Sequence, residues 1–232
     1  MAIWAIVPAA GVGKRMGTEV PKQYLSICGK TVLQHTLERL GRVRALSGVV
    51  LVLHPDDETP FPAGIPQSLP VRIARGGHER CHSVLNALKI LEPELASDGW
   101  VLVHDAARPC LRPSEVNRLI EAVGTHDVGG VLAAPVADTL KRANNEGEVA
   151  GTVDRTALYR ALTPQIFRFH VLNRALQLAA DQNRIVTDDS AAIESLGLSP
   201  VIVPGSTDNI NITEESDLLL AEVIMQKQAS LG

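Results

Sequence analysis

Short apolar, largely β-branched runs alternate along the first half of the chain with segments whose apolar residues recur at helical spacing. The runs that predict buried strands are residues 3–7, 49–53, 71–74 and 100–103. The stripes that predict helices are Leu33, Leu37 and Leu40, then Val84, Leu85, Leu88 and Leu91, and then Val116, Leu119, Ile120 and Val123. Such alternation favours parallel strands with right-handed crossovers. We predict an α/β fold with a Rossmann-like, mainly parallel sheet and helices on both faces.

The pattern changes after residues 131–133. Residues 138–142 and 149–154 predict two strands around the polar turn 144–147. A polar hairpin of this kind buries little by itself, so we expect it to pack on a second subunit. The sequence therefore predicts a projecting β-hairpin arm at about residues 136–156 that is used in dimerisation.

Helical and strand patterns return after the arm. Helices are predicted from Leu172, Leu176 and Ala179, over residues 191–196 with Gly197 as the stop, and from a cap at residues 213–215 through Leu218, Leu219 and Val223; a strand is predicted at 201–203. Pro113 and Glu115 mark the start of the earlier helix that carries Val116. Residues 55–70 carry five prolines and predict a surface excursion, because the α/β pattern continues on both sides. We predict one domain over residues 1–232.

Composition narrows the class of protein. The 232 residues are 45% hydrophobic and 21% charged, as in ordinary globular proteins. A net charge of −4 argues against a nucleic-acid binder driven by bulk charge and still allows a local basic pocket. No apolar run approaches the roughly 20 residues of a membrane helix, and the N-terminus lacks the features of a signal peptide. Three scattered cysteines without a CxxC pair fit a reducing cytoplasm, so we expect a cytoplasmic protein.

The first-strand loop, residues 8–17, has the sequence Pro-Ala-Ala-Gly-Val-Gly-Lys-Arg-Met-Gly. Ligands of open α/β sheets bind beyond the carboxyl ends of the strands, where this loop lies. It is not the dinucleotide fingerprint, because Met16 stands where glycine or alanine is required. It is not a Walker loop either, because Arg15 follows Gly13 and Lys14.

The same loop can bind phosphate in another way. Gly11 and Gly13 carry no side chain, so the backbone amides can approach an anion closely. Lys14, Arg15 and Lys22 add positive charge within a few residues. The alternative is a tight strand-to-helix turn with solvated lysines. Three cations at a strand terminus favour phosphate binding.

Together with Pro-Lys-Gln-Tyr at residues 21–24, this loop resembles the signature of the 2-C-methyl-D-erythritol 4-phosphate cytidylyltransferases. The resemblance extends over essentially the whole chain. Its further motifs, in order, are Gly76-Gly77-x-x-Arg80-x-x-Ser83-Val84, Val103 to Pro109, Asp138-Thr139, Thr152 to Arg155, Leu162 to Gln165, Thr187-Asp188 and Asp208-Asn209-Ile210. The resemblance implies a nucleotidyltransferase fold. It also implies transfer of CMP from CTP to methylerythritol phosphate in the non-mevalonate isoprenoid pathway, with release of pyrophosphate.

The resemblance also implies roles for particular residues. Arg15 and Lys22 would be catalytic and hold the α-phosphate and the pentacoordinate transition state. The residues expected to bind CTP are Pro8, Ala9, Ala10, Gly11, Gly13, Gly76, Gly77, Ser83, Asp105 and Ala106. Those expected to position the acceptor are Thr139, Arg155, Asn211, Arg108, Thr163 and Thr187, with Thr139 and Arg155 acting from the neighbouring subunit. Arg80 would support its loop.

A divalent cation, Mg²⁺, is the expected cofactor. Asp105 ends a predicted strand beside an anionic ligand, which suits a carboxylate that binds Mg²⁺ or a ribose hydroxyl. The alternative for Asp105 is a turn or helix cap. Asp208 is a weaker second candidate for the metal. His104 follows an apolar strand and is expected to pack in the core.

Several residues and the function itself admit a competing interpretation. Gly76 and Gly77 would by themselves indicate only a turn, and the alternative for Arg155, which follows Asp154, is a surface salt bridge. The family usually has lysine at the position of Asn211, so acceptor affinity is in question. The competing functions are a ribitol-5-phosphate cytidylyltransferase and a non-catalytic nucleotide sensor. A UTP-dependent sugar nucleotidyltransferase is disfavoured by the short chain.

Overall fold

The computed structural model describes residues 2–11, 20–57, 59, 69–95 and 99–230. The strands are β1 (Ile3–Pro8), β2 (Ser26–Ile27), β3 (Lys30–Thr31), β4 (Gly48–Leu53), β5 (Val71–Arg75), β6 (Trp100–Val103), β7 (Gly129–Pro135), β8 (Leu140–Ala143), β9 (Val149–Val153), β10 (Tyr159–Arg168) and β11 (Val201–Pro204). The helices are α1 (Val32–Gly41), α2 (Arg80–Leu95), α3 (Pro113–Val123), α4 (Phe169–Asp181), α5 (Asp189–Glu194) and α6 (Glu215–Ser230).

Seven strands form one sheet in the order β11-β7-β10-β6-β1-β4-β5. The four strands predicted in the first half, β1, β4, β5 and β6, are mutually parallel, as expected. β10 was not predicted, and it runs antiparallel to both β6 and β7. Its register with β7 shifts between Ala161 and Gln165. The prediction of a Rossmann-like, mainly parallel α/β sheet is confirmed.

Helices cover both faces of the sheet and bury the stripes that predicted them. Val84, Leu88 and Leu91 of α2 lie in the core of one face, together with residues of α4 and α5. Leu33 and Leu37 of α1 lie in the core of the other face, with residues of α3. The parallel strands β1, β4 and β6 are buried on both faces, which explains their nearly continuous apolar sequence.

The predicted start of α3 is confirmed, whereas α5 lies two residues earlier than predicted, at Asp189–Glu194 instead of 191–196. α3 begins with Pro113 and has Glu115 in its first turn. Gly197, after α5, has a φ of +74°, which glycine adopts without strain. In the first turn of α6, the Asp217 carboxylate accepts hydrogen bonds from the Thr213 N–H, the Thr213 hydroxyl and the Glu214 N–H, which precede the helix.

The final helix buries a different set of residues from the apolar positions that the sequence suggested. Ala221 and Met225 are buried, whereas Leu219 and Val223 are 69% and 62% exposed.

In the described residues, no helix combines the length and apolar character that crossing a membrane requires. All three cysteines are unpaired.

The predicted hairpin is present as β8 and β9, paired antiparallel around a turn at Gly147. Its side chains are almost entirely exposed, and Val149 is 68% exposed. The hairpin therefore buries little within its own chain.

Of the proline-rich segment 55–70, residues 58 and 60–68 lie outside the described part of the chain.

Candidate active site

A cavity of about 560 Å³ opens at the carboxyl ends of β1 and β6. Since the carboxyl ends of parallel strands meet at one edge of the sheet, loops distant in sequence converge there. The middle of β10, at the register shift, closes another wall. The cavity brings together these residues that the sequence singled out: Pro8, Ala9, Ala10, Gly11, Lys22, Gly77, Ser83, Asp105, Ala106, Arg108, Thr163, Thr187 and Asn211.

The remaining candidates lie elsewhere. Gly13 and Arg15 fall within residues 12–19, which lie outside the described part of the chain. Thr139 and Arg155 are exposed on the arm, away from the cavity lining. Asp208 is not among the lining residues and pairs with Arg112.

Gly76 lies directly behind the lining and allows two loops to touch. A Cβ added at Gly76 would overlap the Cβ of Ala10 and lie 3.1 Å from the Leu53 carbonyl oxygen. The Gly76 N–H donates to that same carbonyl at 2.7 Å. Only glycine therefore permits β5 to end this close to the first-strand loop.

The hydroxyl of Ser83 holds the turn that precedes α2. It accepts a hydrogen bond from the Gly77 N–H at 3.0 Å and donates to the Glu79 carbonyl at 3.2 Å. Gly77 lines the cavity, whereas Gly76 does not. Since the Gly77 N–H donates to Ser83, the main-chain group that Gly77 can offer to a ligand is its carbonyl oxygen, a hydrogen-bond acceptor. The base recognition that we expected from both glycines is therefore limited to Gly77.

Two arginines hold the Asp105 carboxylate. The Arg80 Nε donates to Asp105 Oδ1 at 3.1 Å, and the Arg108 Nε donates to Asp105 Oδ2 at 3.2 Å. Burial by itself raises the pKa of Asp105, but these guanidinium groups overcome it and lower the pKa to about 2. Arg80 also pairs with the buried Asp189 at 2.9 Å. Arg80 thus joins α5 to the cavity, a wider role than support of its own loop.

His104 is fully buried, as expected, and takes part in an ordered network. Its Nε2 lies 3.2 Å from the Arg108 carbonyl, which can only accept, so Nε2 carries the proton. Its Nδ1 then accepts from the Thr163 hydroxyl at 3.0 Å, and that hydroxyl accepts from the Asp105 N–H. Burial lowers the pKa of His104 to about 4, so the ring stays neutral at physiological pH.

The segment after β11 reaches the cavity through a series of hydrogen bonds. The Asn209 Nδ2 donates to the Thr163 carbonyl at 2.7 Å, and the Arg108 Nη1 donates to the Asn209 carbonyl at 2.7 Å. The Lys22 Nζ donates to the Ile212 carbonyl at 2.7 Å. These bonds place Asn211 in the cavity wall, where its Oδ1 is buried without a partner among the described residues.

Gln23 lines the cavity but was not among the predicted site residues. Its side chain is 4% exposed, and its Nε2 donates to the carbonyls of Ala9 at 2.7 Å and Gly11 at 3.1 Å. Its position in the Pro-Lys-Gln-Tyr motif was the available signal. The sequence does not show that this amide turns inward.

The donor set at the cavity fits a divalent cation that is shared with a ligand. In the described residues, no three His, Cys, Asp or Glu side chains form a metal cluster. Asp105 lines the cavity as an ionised carboxylate. Mg²⁺ is commonly held by one or two carboxylates together with substrate phosphates. Three carboxylate residues, Glu79, Asp105 and Asp188, line the cavity of about 560 Å³, and Asp105 together with substrate phosphates would fit that pattern.

Comparison with known proteins gives one family. The family model described as "IspD: 2-C-methyl-D-erythritol 4-phosphate cytidylyltransferase" matches residues 3–227. A 2-C-methyl-D-erythritol 4-phosphate cytidylyltransferase of Hahella chejuensis is 48% identical over 225 residues, which cover 97% of this chain and 93% of that protein.

Comparison with solved structures leads to the same family. The crystal structure of a 4-diphosphocytidyl-2C-methyl-D-erythritol synthase is 36% identical with a TM-score of 0.80, covering 97% of this chain and 98% of that one. The Francisella tularensis enzyme of the same family is 31% identical with a TM-score of 0.81, covering 97% and 100%. The family match, the full-length relatives and the shared fold show that this chain belongs to the 2-C-methyl-D-erythritol 4-phosphate cytidylyltransferase family.

Proposed function

We propose that this nucleotidyltransferase transfers CMP from CTP to 2-C-methyl-D-erythritol 4-phosphate, giving 4-diphosphocytidyl-2-C-methyl-D-erythritol and pyrophosphate. The observation that carries the proposal is the convergence in one cavity of the first-strand loop, the Gly77–Ser83 turn, Asp105 and Lys22, in a chain of this family. Each element has a distinct task in bringing two anionic substrates together.

Charge neutralisation is the first task. Both substrates carry phosphate, so repulsion between them and charge developing at the α-phosphorus dominate the barrier. A phosphate acceptor is already ionised and needs no general base. Lys22, half-buried in the cavity wall with its Nζ on the Ile212 carbonyl, supplies a positioned cation. Arg15 is proposed as the second.

Selection of the base is the second task. Cytosine presents an amino group where uracil presents a carbonyl. The carbonyl of Gly77, which lines the cavity, can accept a hydrogen bond from that amino group, and it cannot donate one to uracil. A rigid acceptor discriminates strongly, because the wrong base leaves a buried polar group unpaired. The proposed pocket therefore prefers CTP to UTP.

Asp105 is proposed as the residue that would hold Mg²⁺, and the ion would supply positive charge that neutralises the phosphates of the nucleotide. Asp105 stays ionised at all physiological pH values because Arg80 and Arg108 stabilise its negative charge. Asp208 remains a weaker candidate because, unlike Asp105, it is not among the residues that line the cavity.

The acceptor is proposed to be held by Arg108, Thr163, Thr187 and Asn211 in the cavity and by Thr139 and Arg155 of a neighbouring subunit. The exposed arm supports a homodimer, because a hairpin that buries little in its own chain is stabilised by packing on another. Arginine suits the acceptor phosphate because its guanidinium can donate two parallel hydrogen bonds to it.

Unpaired cysteines support a cytoplasmic location.

Pyrophosphate release tests the proposal. The purified protein would be incubated with Mg²⁺, CTP or UTP, and methylerythritol phosphate or ribitol 5-phosphate. We expect release only with CTP and methylerythritol phosphate. Release only with ribitol phosphate would assign the chain to that acceptor, and CTP binding without release with either would favour a nucleotide sensor.

A matched pair of variants tests the role of Lys22. Lys22→Ala should lower turnover by about 10²–10³-fold, the usual cost of losing one group that stabilises transition-state charge. Lys30→Ala removes an exposed lysine that pairs with Glu38, away from the cavity, and should leave turnover unchanged. Equal rates for the two variants would contradict the role of Lys22.

A further inference from the structure

The Gln23 side chain forms a bridge inside the protein that no step of the proposed reaction uses. It lies on the single helical turn Lys22–Tyr24 and is buried. One hydrogen of its amide nitrogen points to the Ala9 carbonyl and the other to the Gly11 carbonyl. Both N–H groups of the Gln23 amide are therefore used in hydrogen bonds to the first-strand loop.

The two bonds determine how the loop presents its peptide groups. In a trans peptide the C=O of one residue and the N–H of the next point in opposite directions. Because the Ala9 carbonyl points to Gln23, the Ala10 N–H points away from Gln23. Ala10 lines the cavity, and its N–H donates to no other group in the described part of the chain.

The bridge also fixes the loop relative to Lys22. The turn that carries Gln23 is closed by the Tyr24 N–H on the Pro21 carbonyl, and the Tyr24 hydroxyl donates to Asp57 beyond β4. The loop and the Lys22 ammonium are thus held by one rigid turn. Groups held on a common support keep their spacing when a ligand binds.

We propose that Gln23 is a positioning residue: its side-chain amide turns the carbonyls of Ala9 and Gly11 away from the phosphates of the nucleotide and leaves the Ala10 N–H free to bind them. The inference rests on the proposed function, since it takes the ligand to be a nucleoside triphosphate. Without the bridge, an unpaired loop carbonyl can rotate towards the triphosphate and repel it.

The test separates phosphate binding from base binding. Affinities for CTP and for cytidine, both with Mg²⁺ and without acceptor, would be measured by calorimetry and ligand-observed NMR. Gln23→Met keeps the volume and removes both donors. We expect it to weaken CTP binding by about 10- to 100-fold, the range for losing buried hydrogen bonds, while cytidine binding changes less than about twofold.

Gln228→Met is the control. Gln228 is a half-buried glutamine of α6 that does not line the cavity, and its Nε2 donates to the Cys110 carbonyl at 3.0 Å. Its loss should lower thermal stability without changing the ratio of CTP to cytidine affinity. A ratio that shifts equally in both variants, or in neither, would overturn the proposal.

A second variant covers the case in which Gln23→Met does not fold. Gln23→Asn keeps a polar side chain but is one methylene too short to span both carbonyls, so the same shift in the affinity ratio is expected. These measurements need no acceptor. A wild type that binds CTP but releases no pyrophosphate would therefore refute the proposed reaction and leave the role of Gln23 to be decided by the affinity ratio alone.

Discussion

The contact between Gly76 and Ala10 gives a quantitative prediction for Gly76→Ala. The added methyl would overlap the Ala10 Cβ, and the Leu53 carbonyl at 3.1 Å blocks retreat on the other side. Non-bonded carbons pack at about 3.5 Å, so the first-strand loop must move by about 1 Å. Misplacement of about 1 Å in a binding constellation costs on the order of 10²-fold in rate. Overpacking of this kind costs about 1–3 kcal/mol of stability.

Steady-state kinetics and thermal unfolding check this prediction. We expect kcat/KM for CTP to fall by about 10²-fold and Tm to fall by about 2–12 °C for a chain of this length. Gly124→Ala, at the end of α3 and outside the cavity lining, makes the same chemical change as a control and should leave kcat/KM unchanged. If Gly76→Ala retained kcat/KM within threefold, the close approach of the two loops would not matter for nucleotide binding.

Three further predictions concern the cavity wall, the metal and the buried histidine. Asn211→Lys should lower the acceptor KM at unchanged CTP affinity, because it adds a cation to the cavity wall; an unchanged or raised acceptor KM would refute it. Asp105→Asn should raise the Mg²⁺ concentration needed for half-maximal activity more than Asp208→Asn, and equal effects in a magnesium titration would contradict the assignment to Asp105. The pKa of His104 is lowered in the folded state, so the unfolded chain binds more protons as pH falls from about 6.5 to about 4 and stability is lost in that window. Between pH 7 and pH 5, denaturant unfolding should show the wild type losing about 2 kcal/mol more than His104→Gln, and equal losses would mean that His104 titrates normally.

The sequence by itself determined the elements whose signal is local. β1, β4 and β6 are buried on both faces, so their apolar runs are visible without knowledge of their neighbours. β5 lies at the edge of the sheet, where of its five residues only Ala74 is buried, and its short run of Val71, Ile73 and Ala74 was still sufficient to predict a strand. The stripes of α1, α2 and α3 and the arm hairpin follow from helical periodicity and turn chemistry in the same way. The order of short motifs was likewise sufficient to indicate the family.

Only the tertiary structure decided the features that depend on distant partners. The first three residues of β10 are exposed and the next six are buried, so its sequence shows no regular alternation of apolar and polar residues. It is a strand because it pairs with β6 and β7. Asp208 pairs with Arg112, 96 residues away, and Arg80 reaches Asp189 across 109 residues. The pKa of Asp105 and the inward turn of Gln23 depend on such contacts. A residue's type is local, whereas its charge state and orientation are set by whichever groups the fold brings within a few ångströms.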